Sequence, residues 1–89
     1  MVHKNILISG LVQGVGFRYS AKWSADNLGI TGFVRNLRDG SVYIEAEGSE
    51  TSVKDFLLWC YQGPSHAVVE NVVATNGDLK NFARFDINS

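Results

Sequence analysis

The sequence predicts an α+β sandwich, an antiparallel sheet with two helices on one face, and three observations lead there. Two stretches, 18–28 and 49–62, carry apolar residues at helical spacing. Short runs rich in Val and Ile lie before, between and after them, as strands do. Their order along the chain is β-α-β-β-α-β with one short strand appended. That is the split βαβ, or ferredoxin-like, arrangement.

The first strand is expected over Lys4–Leu11, around Ile6-Leu7-Ile8. A helix follows over Arg18–Leu28, with Phe17, Ala21, Ala25 and Leu28 sharing one face, and Gly29-Ile30 supplies a glycine stop with its hydrophobic contact. Residues 30–37 and 41–47 form a hairpin turned at Asp39-Gly40. Val42, Ile44 and Ala46 alternate with Tyr43, Glu45 and Glu47, so both glutamates are expected on a solvated sheet face. Ser49 suits an N-cap for the second helix, whose core stripe is Val53, Phe56, Leu57 and Cys60 and whose stop is Gly63-Pro64. Strands over 67–75 and 82–87 complete the pattern. Right-handed crossovers place the first strand centrally, between parallel neighbours, with residues 12–18 at the end of the sheet's middle.

Eighty-nine residues make one domain, 1–89, of ordinary globular composition: 45% hydrophobic, 19% charged, net charge −1. A nucleic-acid partner would call for a basic excess or stripe, which the sequence lacks. No apolar run approaches a membrane span. Cys60 is the only cysteine, so an intramolecular disulfide is impossible, and a cytoplasmic monomer is the expectation. His3 and His66 stand at strand beginnings without metal-ligand spacing and read as surface or edge histidines. Cys60, on an apolar stripe, reads as inert, and Trp23 and Trp59 read as packing residues.

Candidate chemistry concentrates in Val12-Gln13-Gly14-Val15-Gly16-Phe17-Arg18. A glycine-punctuated turn between a strand and a helix N-terminus points backbone N–H groups inward, where an anion can sit. Gly14 and Gly16 permit backbone angles and close approach that a Cβ would block. Arg18 adds a permanent charge and a planar donor fork. The same two glycines also fit a plain tight connection. Tyr19 breaks G-x-G-x-x-G, and no Walker loop is present. Asn36, near a strand end where asparagine is depleted, fits either a turn-initiating role or a functional one.

Gly10-x-Val12-Gln13-Gly14-Val15-Gly16-Phe17-Arg18, Leu28-Gly29-Ile30-x-Gly32-Phe33-Val34-Arg35-Asn36 and Asp39-Gly40-Ser41-Val42 together closely resemble the acylphosphatase family. Gly48, the Phe56 helix and Gly63-Pro64-x-x-Ala67-x-Val69 extend the match over residues 5–75. The resemblance implies hydrolysis of a small-molecule acyl phosphate to a carboxylate and inorganic phosphate, without metal or cofactor. It implies that Arg18 binds the phosphate, with inorganic phosphate or sulfate as further ligands, and that Asn36 positions the attacking water. Gln13, Gly14, Val15, Gly16 and Phe17 correspond to the backbone cradle. Phe33 stands where many members carry Trp, which implies altered packing or substrate preference.

The residue chemistry is compatible with that role. An acyl phosphate is an activated anhydride, so its hydrolysis needs charge stabilisation and an aimed water more than a strong base. Two other classes remain open to the sequence: a non-catalytic anion-binding or regulatory module of this fold, and a single-strand RNA binder, since Gly32-Phe33-Val34 faintly resembles an RNA-recognition strand.

Overall fold

The computed structural model describes residues 1–88. Its elements are β1 (Val2–Leu11), α1 (Phe17–Leu28), β2 (Thr31–Asn36), β3 (Val42–Gly48), α2 (Glu50–Gln62), β4 (Val68–Asn76) and β5 (Phe85–Ile87). Most expected boundaries hold within two residues. The exception is the last strand, which begins at Phe85 rather than Phe82. The expected caps form: Ser49 Oγ accepts from Ser52 N–H at 3.1 Å, and Gly29 takes the left-handed conformation after α1.

The five strands lie in the order β4-β1-β3-β2-β5. β1 is interior, but its neighbours β3 and β4 both run antiparallel to it, not parallel as the crossovers suggested. Each right-handed crossover skips a strand, so its parallel mate lies one position further away. β5 pairs in parallel with β2, which makes the sheet mixed rather than wholly antiparallel. Ile6, Ile8, Val34, Val42, Ile44 and Ala46 face Phe17, Ala21 and Ala25 of α1 and Val53, Phe56 and Cys60 of α2 in one buried cluster. Phe85 joins it, edge-on to Phe56 with the ring centroids 5.9 Å apart. Trp59 packs against Phe17 and Phe56, as expected of a packing residue. Burial pushes the Cys60 thiol well above its ordinary range, which leaves it inert at neutral pH.

The other sheet face departs from expectation. Glu45 and Glu47 are 6% and 1% exposed, and His3 is 3% exposed, where a solvated face and an edge histidine were anticipated. The reason is the connection over residues 77–84. β4 and β5 occupy opposite sheet edges, so this segment must cross four inter-strand gaps, roughly 19 Å. Eight residues extend at most about 28 Å, enough to make the crossing. It crosses on the side away from the helices, as its partners on β1, β2 and β3 attest. Lys80 N–H and Phe82 N–H both donate to the Glu47 carboxylate, and His3 Nδ1–H donates to Glu47 Oε2 at 2.7 Å. Lys80 Nζ donates to Glu45 Oε1 at 2.7 Å, and Tyr43 Oη–H to Glu45 Oε2 at 2.8 Å. The Phe82 ring stacks on His3 and meets Phe33 edge-on, which is why Phe82 belongs to this strap and not to a strand.

Burial alone would raise the Glu47 carboxyl pKa, but the donors from Lys80, His3 and Phe82 outweigh it and hold the carboxyl below its ordinary value of 4.5. Glu45 shows the same balance through Lys80 and Tyr43. Tyr43 is pushed up to about 12 by burial and by its bond to Glu45. A carboxyl lowered in the folded state contributes stability above its unfolded pKa and loses it as pH falls through the folded value. Glu47→Gln is therefore expected to cost about 1.5–3 kcal/mol at pH 7, the range for hydrogen bonds to a charged group. Thermal unfolding at pH 7 and pH 3 should show a smaller gap from wild type at the lower pH. An equal gap at both would remove the charge from this account.

Candidate active site

The cleft is built where β1 stops. A bulge between Ser9 and Gly10 bends the strand just before its end. Gly10 has φ 129°, and a Cβ there would lie 2.2 Å from Val68 O, so only glycine fits the bend. Val12 and Phe17, 1% and 2% exposed, pin the two ends of the loop into the core. Between them Gly14 and Gly16 take φ 73° and 78°. A Cβ on either would meet nothing within 4 Å, so the backbone angle, not crowding by the protein, demands glycine at both.

Gly16 caps α1 without any side-chain hydrogen bond, and the first helical turn holds no acidic residue. The N–H groups at this end are thus left without a side-chain acceptor, and no carboxylate there offsets the positive end of the helix. Arg18 lies in that first turn. Its Nη1 donates to Asn88 O at 3.3 Å, and Asn88 N–H bonds Val34 O at 2.8 Å, so β5 tethers the guanidinium to the neighbourhood of Asn36 on β2.

Gln13 does more than its expected backbone role. Its Nε2 donates to Leu37 O at 2.7 Å and to Ser41 O at 2.9 Å, tying the loop to the hairpin that carries Asn36. Asp39 braces that hairpin by accepting from Ser41 N–H at 2.9 Å, and its bonds to Ser41 hold its carboxyl below the ordinary range. Nothing in sequence spacing joins residue 13 to residues 37 and 41. The signal that could have flagged Gln13 is the presence of a long amide in an otherwise small-residue turn.

Gln13, Gly14, Gly16, Phe17, Arg18 and Asn36 line one cleft of about 110 Å³, together with Val12 and Tyr19. Val15 packs its side chain against the core instead. Asn36 Oδ1 is buried there with no hydrogen-bond partner among the described residues. A buried acceptor without a partner costs about 1–3 kcal/mol, and such groups are rare enough to need a reason.

Other candidates do not converge on this cleft. Phe33 contacts Tyr43 and Phe82 on the strap side, so its place in the motif is a matter of strap packing. His66 is exposed in the turn before β4. Trp23, expected to pack, is 73% exposed. A larger cavity, about 630 Å³, opens at the other end of β1 against Val53, Leu57 and Leu79, but Lys4 there already bonds Asn76. Among the described residues no three His, Cys, Asp or Glu side chains group as metal ligands, and no helix is long and apolar enough to cross a membrane.

Comparison with known proteins gives a consistent result. The acylphosphatase family model matches residues 4–87. An acylphosphatase of Synechococcus sp. (strain CC9311) is 47% identical over 81 residues, 91% of this chain and 90% of that protein. One from Archaeoglobus fulgidus is 42% identical over 98% of each chain. The crystal structure of acylphosphatase from Bacillus subtilis superimposes with a TM-score of 0.97 at 36% identity, over the whole of both chains.

The Gln13 tie yields an expectation of its own. Two part-buried hydrogen bonds contribute about 1–3 kcal/mol together, so Gln13→Ala should lower Tm by several degrees. If the loop is an anion site, Gln13→Ala should also weaken the Tm response to added sulfate, because the loop would no longer be held against the hairpin. A full sulfate response in a destabilised Gln13→Ala protein would make the tie purely structural.

Proposed function

The chain belongs to the acylphosphatase family, hydrolases of acyl phosphates, and we propose a division of labour within its cleft. Arg18 and the N–H groups of Gln13–Phe17 hold the phosphoryl group, and Asn36 aims the attacking water. The observation that carries this reading is the unpartnered Asn36 Oδ1, buried in the same cleft as Arg18. A water bound by the Asn36 side-chain amide, which lines the cleft beside Arg18, is held for attack on a phosphorus bound by the loop.

The reaction follows from what the cleft lacks as well as what it holds. No His, Asp, Glu, Lys or Cys side chain is among its lining residues. Asn36 can accept a hydrogen bond but not a proton. The water oxygen bonds to phosphorus, the bond from phosphorus to the acyl oxygen breaks, and its electron pair leaves with the carboxylate. The water's proton passes to a phosphate oxygen of the substrate itself. A carboxylate is a good leaving group, so stabilising the phosphoryl charge and orienting the water supply the needed acceleration.

The same reading makes inorganic phosphate and sulfate competitive ligands and has the chain act as a cytoplasmic monomer on a small molecule. No cofactor enters the step.

The two roles separate kinetically. Asn36→Ala is expected to lower kcat on an acyl phosphate by roughly 10²- to 10³-fold while leaving the Ki of inorganic phosphate nearly unchanged. It should not lower Tm, since it removes an unmet buried acceptor. Arg18→Ala should raise the phosphate Ki and lower kcat together, and Arg18→Lys should stay impaired because the donor fork is gone. Near-normal kcat in Asn36→Ala would take Asn36 out of the mechanism.

A further inference from the structure

The cleft accounts for only half of a substrate. It is small, about 110 Å³, and its polar groups converge where a phosphoryl group would sit. The organic half of the substrate must therefore lie on the rim.

On that rim α1 presents two aromatic rings. Tyr19 lines the cleft next to Arg18 and is 72% exposed, and Trp23, one turn further on, is 73% exposed. Among the described residues neither ring packs against another aromatic, and neither side chain makes a hydrogen bond. Only the Trp23 backbone carbonyl is engaged, by Asn27 Nδ2. Residues four apart share a helix face, and helical side chains lean toward the N-terminus, so Trp23 covers the turn that carries Tyr19 and Tyr19 leans toward the cleft. The structure gives neither position a core role, since Phe17, Ala21 and Ala25 hold the buried face of α1. Tyr19 thus borders the cleft itself, and Trp23 follows it one turn along the same helix face.

We infer that Tyr19 and Trp23 form the subsite for the acyl half of the substrate, and that it selects flat or apolar acyl groups over small polar ones. The inference rests on the proposed role of the cleft as the phosphoryl site. An aryl acyl group leaving the cleft over Tyr19 can lie against one ring and then the next, exchanging exposed apolar surface for contact. A short acyl group such as acetyl ends before it reaches Trp23.

The test compares benzoyl phosphate with acetyl phosphate, and phenylphosphonate with methylphosphonate as ligands that do not turn over. The proteins are wild type, Trp23→Ala and the double variant Tyr19→Ala/Trp23→Ala. Both rings are exposed, so the variants should fold, which Tm will verify. Wild type should favour the aryl member of each pair. Each ring removed should reduce that preference roughly two- to tenfold, through KM for the substrates and Kd for the phosphonates. A preference unchanged in the double variant overturns the subsite, and so does an equal loss for aryl and methyl ligands, which would mean that the rings act on the cleft itself. Failure of wild type to hydrolyse either acyl phosphate would instead sink the catalytic reading. Phosphonate binding would then decide the subsite by itself.

Discussion

The Glu47 carboxylate is the contact on which the arrangement of the functional end depends. It is almost fully buried, and it gathers His3 from β1 and two backbone N–H groups from the strap. Those bonds hold residues 77–84 across the sheet and deliver β5 to the far edge, beside β2. There Phe85 closes the core, Asn88 N–H bonds Val34 O, and Asn88 O accepts from Arg18. A carboxylate on the face away from the helices thus determines where an arginine at the start of α1 is tethered. The two faces of the sheet are coupled through the strand that wraps from one to the other.

The cleft is assembled from incomplete pieces. α1 starts without a side-chain cap, and Asn36 keeps a carbonyl oxygen with no partner. Both groups lie at the cleft, one with free N–H donors and one with an acceptor. The surrounding structure is correspondingly over-tied: Gln13 bridges to two carbonyls, Asp39 braces the hairpin, and Val12 and Phe17 anchor the loop. Local rigidity of this kind is what lets unsatisfied groups persist at a site.

Much of this was legible in the sequence wherever the cause is local. Helical stripes, the Ser49 cap, the glycine stops and the Asp39-Gly40 turn all act over a few residues, and all appear where expected. The position of Asn36 could be singled out because asparagine is a poor strand residue. What escaped depends on contacts between distant segments. The burial of Glu45, Glu47 and His3 follows from a connection that could have crossed either face or none, and alternation in β3 alone reads as a wet face. The parallel pairing of β5 is set by that same crossing. Gln13 looked like a backbone contributor because its acceptors lie 24 and 28 residues away. Trp23 looked like core because large aromatics usually are.

The strap also bears on the order in which the molecule comes together. The β2–β3 hairpin is local, whereas the strap's anchors belong to β1 and β3 and exist as a set only after those strands have paired. Closing the strap is thus a late, long-range event, of the sort that waits on loop-closure entropy already offset by other contacts. Since β5 brings the carbonyl that tethers Arg18, the arginine gains its tether only when that event is complete. The position of the Arg18 guanidinium is in that way tied to the completed sheet.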